Sequence, residues 1–313
     1  MQTKAVVMKE PLKIAMESLY IKEPELGDVV VDVNFSGIST GTEKLFWNGH
    51  MPSFPGMGYP LVPGYESVGE VVEVPRGSSY KIGDTVFVPG ANCFGEVKGL
   101  FGGASKRLVT SESRLIKIDS GIGARGALFA LAATARHAIA GFNNQLPELI
   151  VGHGVLGRLL ARMTIAAGGE APTVWELDEG RNSGSLGYEV THPDSDPRTD
   201  YSAIYDVSGD EKVLDTLLGR LSRSGEIVLA GFYPGKLNFT FSTAFLKEAR
   251  FRVSAEFSSD DIVATRSLIE TGSLSLEGLI TEVCSASLMG DAYQKAFNDS
   301  NCLKMILDWR DVA

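Results

Sequence analysis

Cysteine is scarce in this chain: 313 residues hold only Cys93, Cys284 and Cys302, too few and too scattered for a disulfide framework or a four-thiolate metal site. All three are expected to be small buried apolar residues, and no metal is expected. Long apolar runs are also missing. No window approaches 18 uncharged apolar residues, which excludes a membrane-spanning helix. The first 19 residues carry Lys4, Lys9, Glu10, Lys13 and Glu17 and no apolar stretch, so secretion is not expected and the cytoplasm is the expected compartment. Positive charge is in deficit, 29 Lys and Arg against 39 Asp and Glu, for a formal net charge of −10. With no basic stripe to release counterions, a nucleic-acid partner is excluded. There is no internal repeat and no low-complexity tract. What remains is 44% hydrophobic with 35 glycines, enough for two cores.

The most informative stretch is "ELIVGHGVLGRLLARMTIAAGGEAPTVWE", residues 148–176. Leu149, Ile150 and Val151 form an apolar run that stops at Gly152, Gly154 and Gly157, a G-x-G-x-x-G at the mouth of a helix. In such a unit the first glycine makes the turn, the second admits a pyrophosphate, and the third lets helix and strand pack closely. The helix amides beginning at Val155 and Leu156 are left to hold the anion. Apolar residues then recur at helical spacing to Met163, Gly168 and Gly169 end the helix, and a strand follows that closes at Glu176. A carboxylate about 20 residues past the glycines accepts the ribose hydroxyls of a dinucleotide and repels a 2′-phosphate, so NAD is the expected cofactor. Two arginines qualify that expectation. Arg158 sits at the helix start, where a cation is disfavoured unless a phosphate is near, and Arg181 has the reach for a 2′-phosphate.

Strands and turns continue on both sides of this unit. "TKAVVMKE", "DVVVDVNFSGIS", "YESVGEVVEVP", "YKIGDTVFVPG" and the pair in "ASKRLVTSESRLIKI" predict a β-rich domain over residues 1–120. A helix in "GARGALFALAATARHAIAGF" leads into the dinucleotide domain, set at 121–258; its His137 is expected to be a satisfied core histidine, and its Thr134 a cofactor contact. After Glu176 there is little room for a full helix. "YSAIYDVSG" and "GEIVLAGFYPG" predict strands flanking the helix "DEKVLDTLLGRLS", and Ser208 and Gly209 fall at a strand end where the nicotinamide half is expected. "ARFRVSAEFS" is the last strand expected there. Residues 259–313 read as helix, strand, helix, strand, returning to the first domain. The fold class expected is α/β: a doubly wound parallel Rossmann sheet with a second, β-rich domain.

A β-rich domain carrying "VPGYESVGEVVEV" and "KIGDTVFV", followed by a Rossmann domain and a C-terminal return, resembles the medium-chain dehydrogenase/reductase family over nearly the whole chain. That resemblance implies a GroES-like catalytic domain, a nicotinamide cofactor and a homodimer joined at Rossmann sheet edges. It also implies three catalytic zinc positions, which fall here on Ser39, on Tyr65 and near Ala130, and the family's four-cysteine lobe is reduced to Cys93. The expectation is therefore a zinc-free alcohol dehydrogenase using NAD. A quinone or enone reductase of the same fold, normally preferring NADPH, and a non-catalytic cofactor-binding protein are the alternatives.

Without zinc, an alcohol dehydrogenase still needs a group to take the hydroxyl proton. Tyr65, Lys44, Ser39 and Glu66 cluster where the metal would sit in the family. Tyr65 is the expected base or proton relay, acidified by Lys44, and its alternative is a packed core tyrosine beside a Glu66 ion pair. Residues 46–65, "FWNGHMPSFPGMGYPLVPGY", are expected to form an extended loop rich in aromatic and Met side chains. Trp47, His50 and Phe54 would line a flat apolar pocket, with core packing as the alternative; the resemblance implies a large planar substrate there, a magnesium tetrapyrrole. His50 could approach the magnesium axially, although that ion prefers oxygen and a solvated loop histidine is the plainer reading.

Overall fold

The alternating residues of "TKAVVMKE" form β1 (Gln2–Glu10), which pairs antiparallel with β2 (Lys13–Tyr20). The sequence did not mark β2, because Ile14, Ala15 and Met16 are consecutive and only half-buried, without the period-two signal of a one-sided strand. This is a computed structural model, and it describes every residue except Phe54, Pro55, Leu100, Gly141, Phe142, Asn143 and Ala313.

The long strand β3 (Asp28–Ile38) leads into the short helix α1 (Thr42–Asn48), which stops at Gly49 in the left-handed region, φ 71°. Then come β4 (Ser67–Glu73), β5 (Thr85–Val88), β6 (Arg107–Ser111) and β7 (Ile116–Lys117). β3 pairs antiparallel with both β4 and β6, and Ser36 faces Ser67 in the register with β4. Val29, Val31, Val33 and Ile38 of β3 are wholly buried, so this strand is the spine of the first core.

The helix α2 (Phe129–Ile139) leads to β8 (Leu149–Val151), α3 (Val155–Ala166), β9 (Thr173–Trp175), β10 (Glu189–Thr191), β11 (Tyr201–Asp206), α4 (Leu214–Arg220), β12 (Leu221–Leu229), α5 (Phe241–Lys247) and β13 (Arg250–Val253). These strands form one parallel sheet in the order β10-β9-β8-β11-β12-β13. Numbered within the sheet, that is 3-2-1-4-5-6, the dinucleotide-binding order, with its switch point between β8 and β11. The expected α/β class and doubly wound sheet are present. Leu149, Trp175, Ile204, Leu217 and Ile227 fill one core of this unit.

The chain continues through α6 (Ser259–Glu270), β14 (Glu282–Ser285), α7 (Met289–Asn298) and β15 (Met305–Asp308). β15 pairs antiparallel with β3, Met305 facing Ile38, so the C-terminus completes the seven-stranded sheet of the first unit. The chain divides into a unit of Met1–Ala130 with Ile280–Ala313 and a unit of Leu131–Leu279. Both divisions lie beyond the positions 120 and 258 expected from sequence, for local reasons. Phe129 stacks on Phe87 at 5.9 Å and stays with the first unit. In the second unit, Asp261 of α6 binds Arg136 and His137 of α2, and Arg162 of α3 donates to the carbonyls of Ser275 and Glu277, each at 2.9 Å. His137 is accordingly a half-exposed partner of Asp261, 2.8 Å away, not a core residue. Among the described residues, no helix is long and apolar enough to cross a membrane.

Candidate active site

β3 delivers Ser39 to a buried position, where its hydroxyl lies 2.7 Å from the Tyr65 hydroxyl and accepts the Thr42 amide at 3.3 Å. The Ser39 amide donates to Glu43 Oε1 at 3.1 Å, and Tyr293 donates to Glu43 Oε2 at 2.7 Å. Burial pushes the Glu43 carboxyl up to about 7, against the opposing pull of the Tyr293 and Ser39 bonds. Tyr65 is half-buried, and burial, then the neighbouring Glu66, hold the phenol well above its ordinary range. The expected acidification of Tyr65 is therefore overturned. Its supposed agent, Lys44, turns away to donate to the Phe297 carbonyl at 2.6 Å.

Glu66 and Lys304 form an ion pair with both side chains essentially without solvent exposure, and Lys304 also donates to the Ile38 carbonyl at 3.1 Å. Burial raises the Glu66 carboxyl and Lys304 opposes the shift. A Cβ at position 37 would lie 2.0 Å from Glu66 Oε2, so only glycine lets the carboxylate lie against β3. The ion pair named as the alternative for Glu66 is present, with Lys304 as its partner.

The loop expectation needs correction at its start. Residues 46–48 are the end of α1, and Trp47 is buried against Phe297, ring centroids 6.1 Å apart, as part of the core instead of a pocket wall. Met51, Met57 and Tyr59 also pack on that core. His50 is exposed, and Phe54 lies outside the described residues. Sequence reasoning missed Glu43, Tyr293 and Lys304, which no local motif marks. It also missed Phe101, which meets Tyr65 edge-on at 5.0 Å from a backbone with φ 67°, rare for a bulky residue. Its only signal is a lone aromatic inside "GLFGG".

In the second unit the glycine turn has the expected construction. Gly152 has φ 103°, and a Cβ on Gly157 would lie 1.9 Å from the Gly152 carbonyl oxygen. Beside Gly154 a Cβ would meet nothing within 4 Å, and no side chain caps α3 there, so the amides of the first turn, from Val155 and half-buried Leu156, are left for a ligand. The Ser208 backbone passes 3.3 Å from the Gly152 Cβ position, which puts the β11 end beside the turn. Gly209 has φ 73°. Asp206, which closes β11, is buried and accepts Tyr233 Oη at 2.6 Å; burial raises its carboxyl. Thr134 is half-buried on α2.

Glu176 is half-buried, its Oε2 accepting the His153 amide at 3.0 Å and its Oε1 the Leu177 and Asp178 amides at 2.8 and 2.9 Å. A carboxylate offers about four acceptor positions, so Oε2 retains capacity for a hydroxyl. Arg158 does not face a phosphate site: it is buried and donates to the carbonyls of His153 and Arg181. Arg181 contributes that carbonyl, and its side chain is half-buried. These features fit the pyrophosphate and ribose of a dinucleotide.

Residues 25–120 match the alcohol dehydrogenase GroES-like domain. The whole chain is 59% identical to the 2-desacetyl-2-hydroxyethyl bacteriochlorophyllide A dehydrogenase of Rhodobacter capsulatus, over 99% of both chains. The chain belongs to the medium-chain dehydrogenase/reductase family. A second relative with the same name, from Cereibacter sphaeroides, is 58% identical over 100% of both chains. Among solved structures, L-idonate 5-dehydrogenase from Escherichia coli superposes with a TM-score of 0.86 at 19% identity, covering 99% of each chain. Acetophenone reductase from Geotrichum candidum, solved with NAD, gives 0.84 at 20% identity over 100% of this chain and 98% of its own.

Medium-chain dehydrogenase/reductase members that carry catalytic zinc hold it with soft or imidazole donors. The positions that the resemblance assigns to those donors hold the Ser39 hydroxyl and the Tyr65 phenol, which are hydrogen-bonded to each other, with the third near buried Ala130. Among the described residues, no group of three or more His, Cys, Asp or Glu is placed to hold a metal. This donor set does not fit zinc.

Proposed function

We propose that this chain catalyses NAD-dependent oxidation of the 1-hydroxyethyl substituent of a bacteriochlorophyllide, a magnesium tetrapyrrole, to acetyl, without a catalytic zinc. The observation that carries this reading is the 59% identity, over 99% of both chains, to a relative with that substrate in its name. Held at the glycine turn and Glu176, NAD would supply the hydride acceptor for the carbinol C–H bond, which breaks with its electron pair to give NADH. Glu176 favours NAD, since a 2′-phosphate would meet its carboxylate.

The hydroxyl proton is handled by Tyr65 and Ser39. Tyr65, kept neutral by burial and by Glu66, does not wait as a phenolate. It accepts the substrate proton as it passes its own to Ser39 Oγ, 2.7 Å away, and Ser39 releases its own hydroxyl proton to water, so that both hydroxyls end neutral. Glu43 and the Glu66–Lys304 pair hold the backbone on either side of that hydroxyl pair. Phe101 and exposed His50 are the side chains proposed to meet the macrocycle. The test is to incubate the purified protein with NAD and a hydroxyethyl bacteriochlorophyllide. Formation of the acetyl product in step with NADH supports the reading, and protein that binds NADH without oxidising this alcohol refutes it.

A homodimer joined at β13 belongs to the same proposal. Among the described residues β13 has one strand neighbour, β12, and its other edge is unpaired. Beside it Phe241, Phe245, Leu246 and Val253 are exposed, each by 67% or more, an apolar group suited to burial against a second copy.

A further inference from the structure

His153 stands between the first two glycines of the turn, and its ring is wholly buried. Its Nδ1 lies 2.6 Å from the Arg181 carbonyl oxygen, which can only accept, so Nδ1 carries the proton. Nε2, 2.9 Å from Tyr188 Oη, therefore accepts from the phenol. The His153 amide holds Glu176, and its carbonyl receives Arg158 Nε at 3.1 Å, while Arg158 Nη2 reaches the Arg181 carbonyl at 3.2 Å. Gly184, φ 84°, closes over this guanidinium: a Cβ there would lie 2.2 Å from Arg158 Nη1. One residue thus ties the glycine turn, the acid at the end of β9 and the segment 177–188 together. The ties also keep Arg158 turned inward.

We infer that His153 is a positioning residue for cofactor selectivity, fixing the Glu176 carboxylate toward the ribose and keeping Arg158 away from a 2′-phosphate. The inference rests on the glycine turn being the adenosine site, as proposed above. It gives the ring a role distinct from packing, because Tyr188 and Arg181 are held through hydrogen bonds that an isosteric hydrocarbon ring cannot make.

The test is calorimetric titration of the full chain with 5′-AMP and with 2′,5′-ADP, which read the adenosine site without turnover. Wild type should prefer 5′-AMP. His153→Phe should reduce that preference by about 5- to 10-fold and Tyr188→Phe by about 3-fold, as expected for two lost hydrogen bonds and for one. Unchanged preference in variants with wild-type melting behaviour overturns the inference and leaves the cofactor reading standing. A wild type that prefers 2′,5′-ADP, or binds neither, overturns the cofactor reading and the inference with it. If His153→Phe does not fold, Tyr188→Phe, which removes one hydroxyl, makes the same comparison.

Discussion

Lys304, just before the last strand, and Glu66, just before β4, face each other as a buried ion pair, neither side chain more than 2% exposed. Removing one partner leaves the other charge uncompensated in the core. Lys304→Met should cost about 3–5 kcal/mol of unfolding free energy in urea titration. Adding Glu66→Gln to that variant should recover part of the loss, because no charge is then stranded.

The Ser39 and Tyr65 hydroxyls share one hydrogen bond, so they should act as a unit in turnover. Tyr65→Phe should lower kcat by roughly 10²-fold while NADH affinity is kept. Ser39→Ala should give a loss of similar order, and the double variant should lose little beyond either single one. Additive losses in steady-state kinetics would show that the two do not form one relay.

Glu43 should make stability depend on pH in an unusual direction. Its carboxyl is raised from 4.5 to about 7 in the folded chain, so between those values the native state binds more protons than the unfolded one. The stabilisation is fully present below about 4.5 and is lost as pH rises through about 7. Glu43→Gln keeps an uncharged acceptor for the Ser39 amide and a donor for Tyr293. Its unfolding free energy should therefore fall less than that of wild type as pH rises across this window.

If the proposed zinc-free reading holds, with hydroxyls and a methyl group at or near the positions the resemblance assigns to zinc, turnover should survive exhaustive chelation. Stoichiometric zinc by metal analysis, together with activity lost on chelation and restored by zinc, would refute this.

The exposed apolar group beside β13 predicts association. Phe245→Asp with Val253→Asp should convert dimer to monomer in sedimentation velocity, with NADH binding retained. A wild-type chain that sediments as a monomer at all concentrations would rule out the dimer.

The glycine turn was legible because its parts are local: strand, turn, helix and acid fall within one stretch, and the doubly wound class followed from the alternation of strands and helices. Ser39 and Tyr65 were legible through family motifs. Their surroundings were not. Lys304 and Tyr293 come from the far end of the chain, and nothing near them in sequence announces that they meet Glu66 and Glu43. Lys44 was misread because spacing along α1 gives no direction for a long side chain, which here finds a carbonyl of α7. Trp47 was misread because composition does not separate an aromatic that lines a pocket from one that packs, and the three residues around it completed a helix.

β15 lies between β14 and β3 in the first unit's sheet, so the strand that leads to Ser39 gains this neighbour from more than 260 residues further along the chain. The dinucleotide unit is continuous and can fold while the ribosome is still adding residues. The first unit is not: its two stretches of chain must meet before Glu66 and Lys304 can pair. A chain cut before Met305 would therefore keep every strand of the parallel sheet and leave β3 without the partner that Met305–Asp308 supplies.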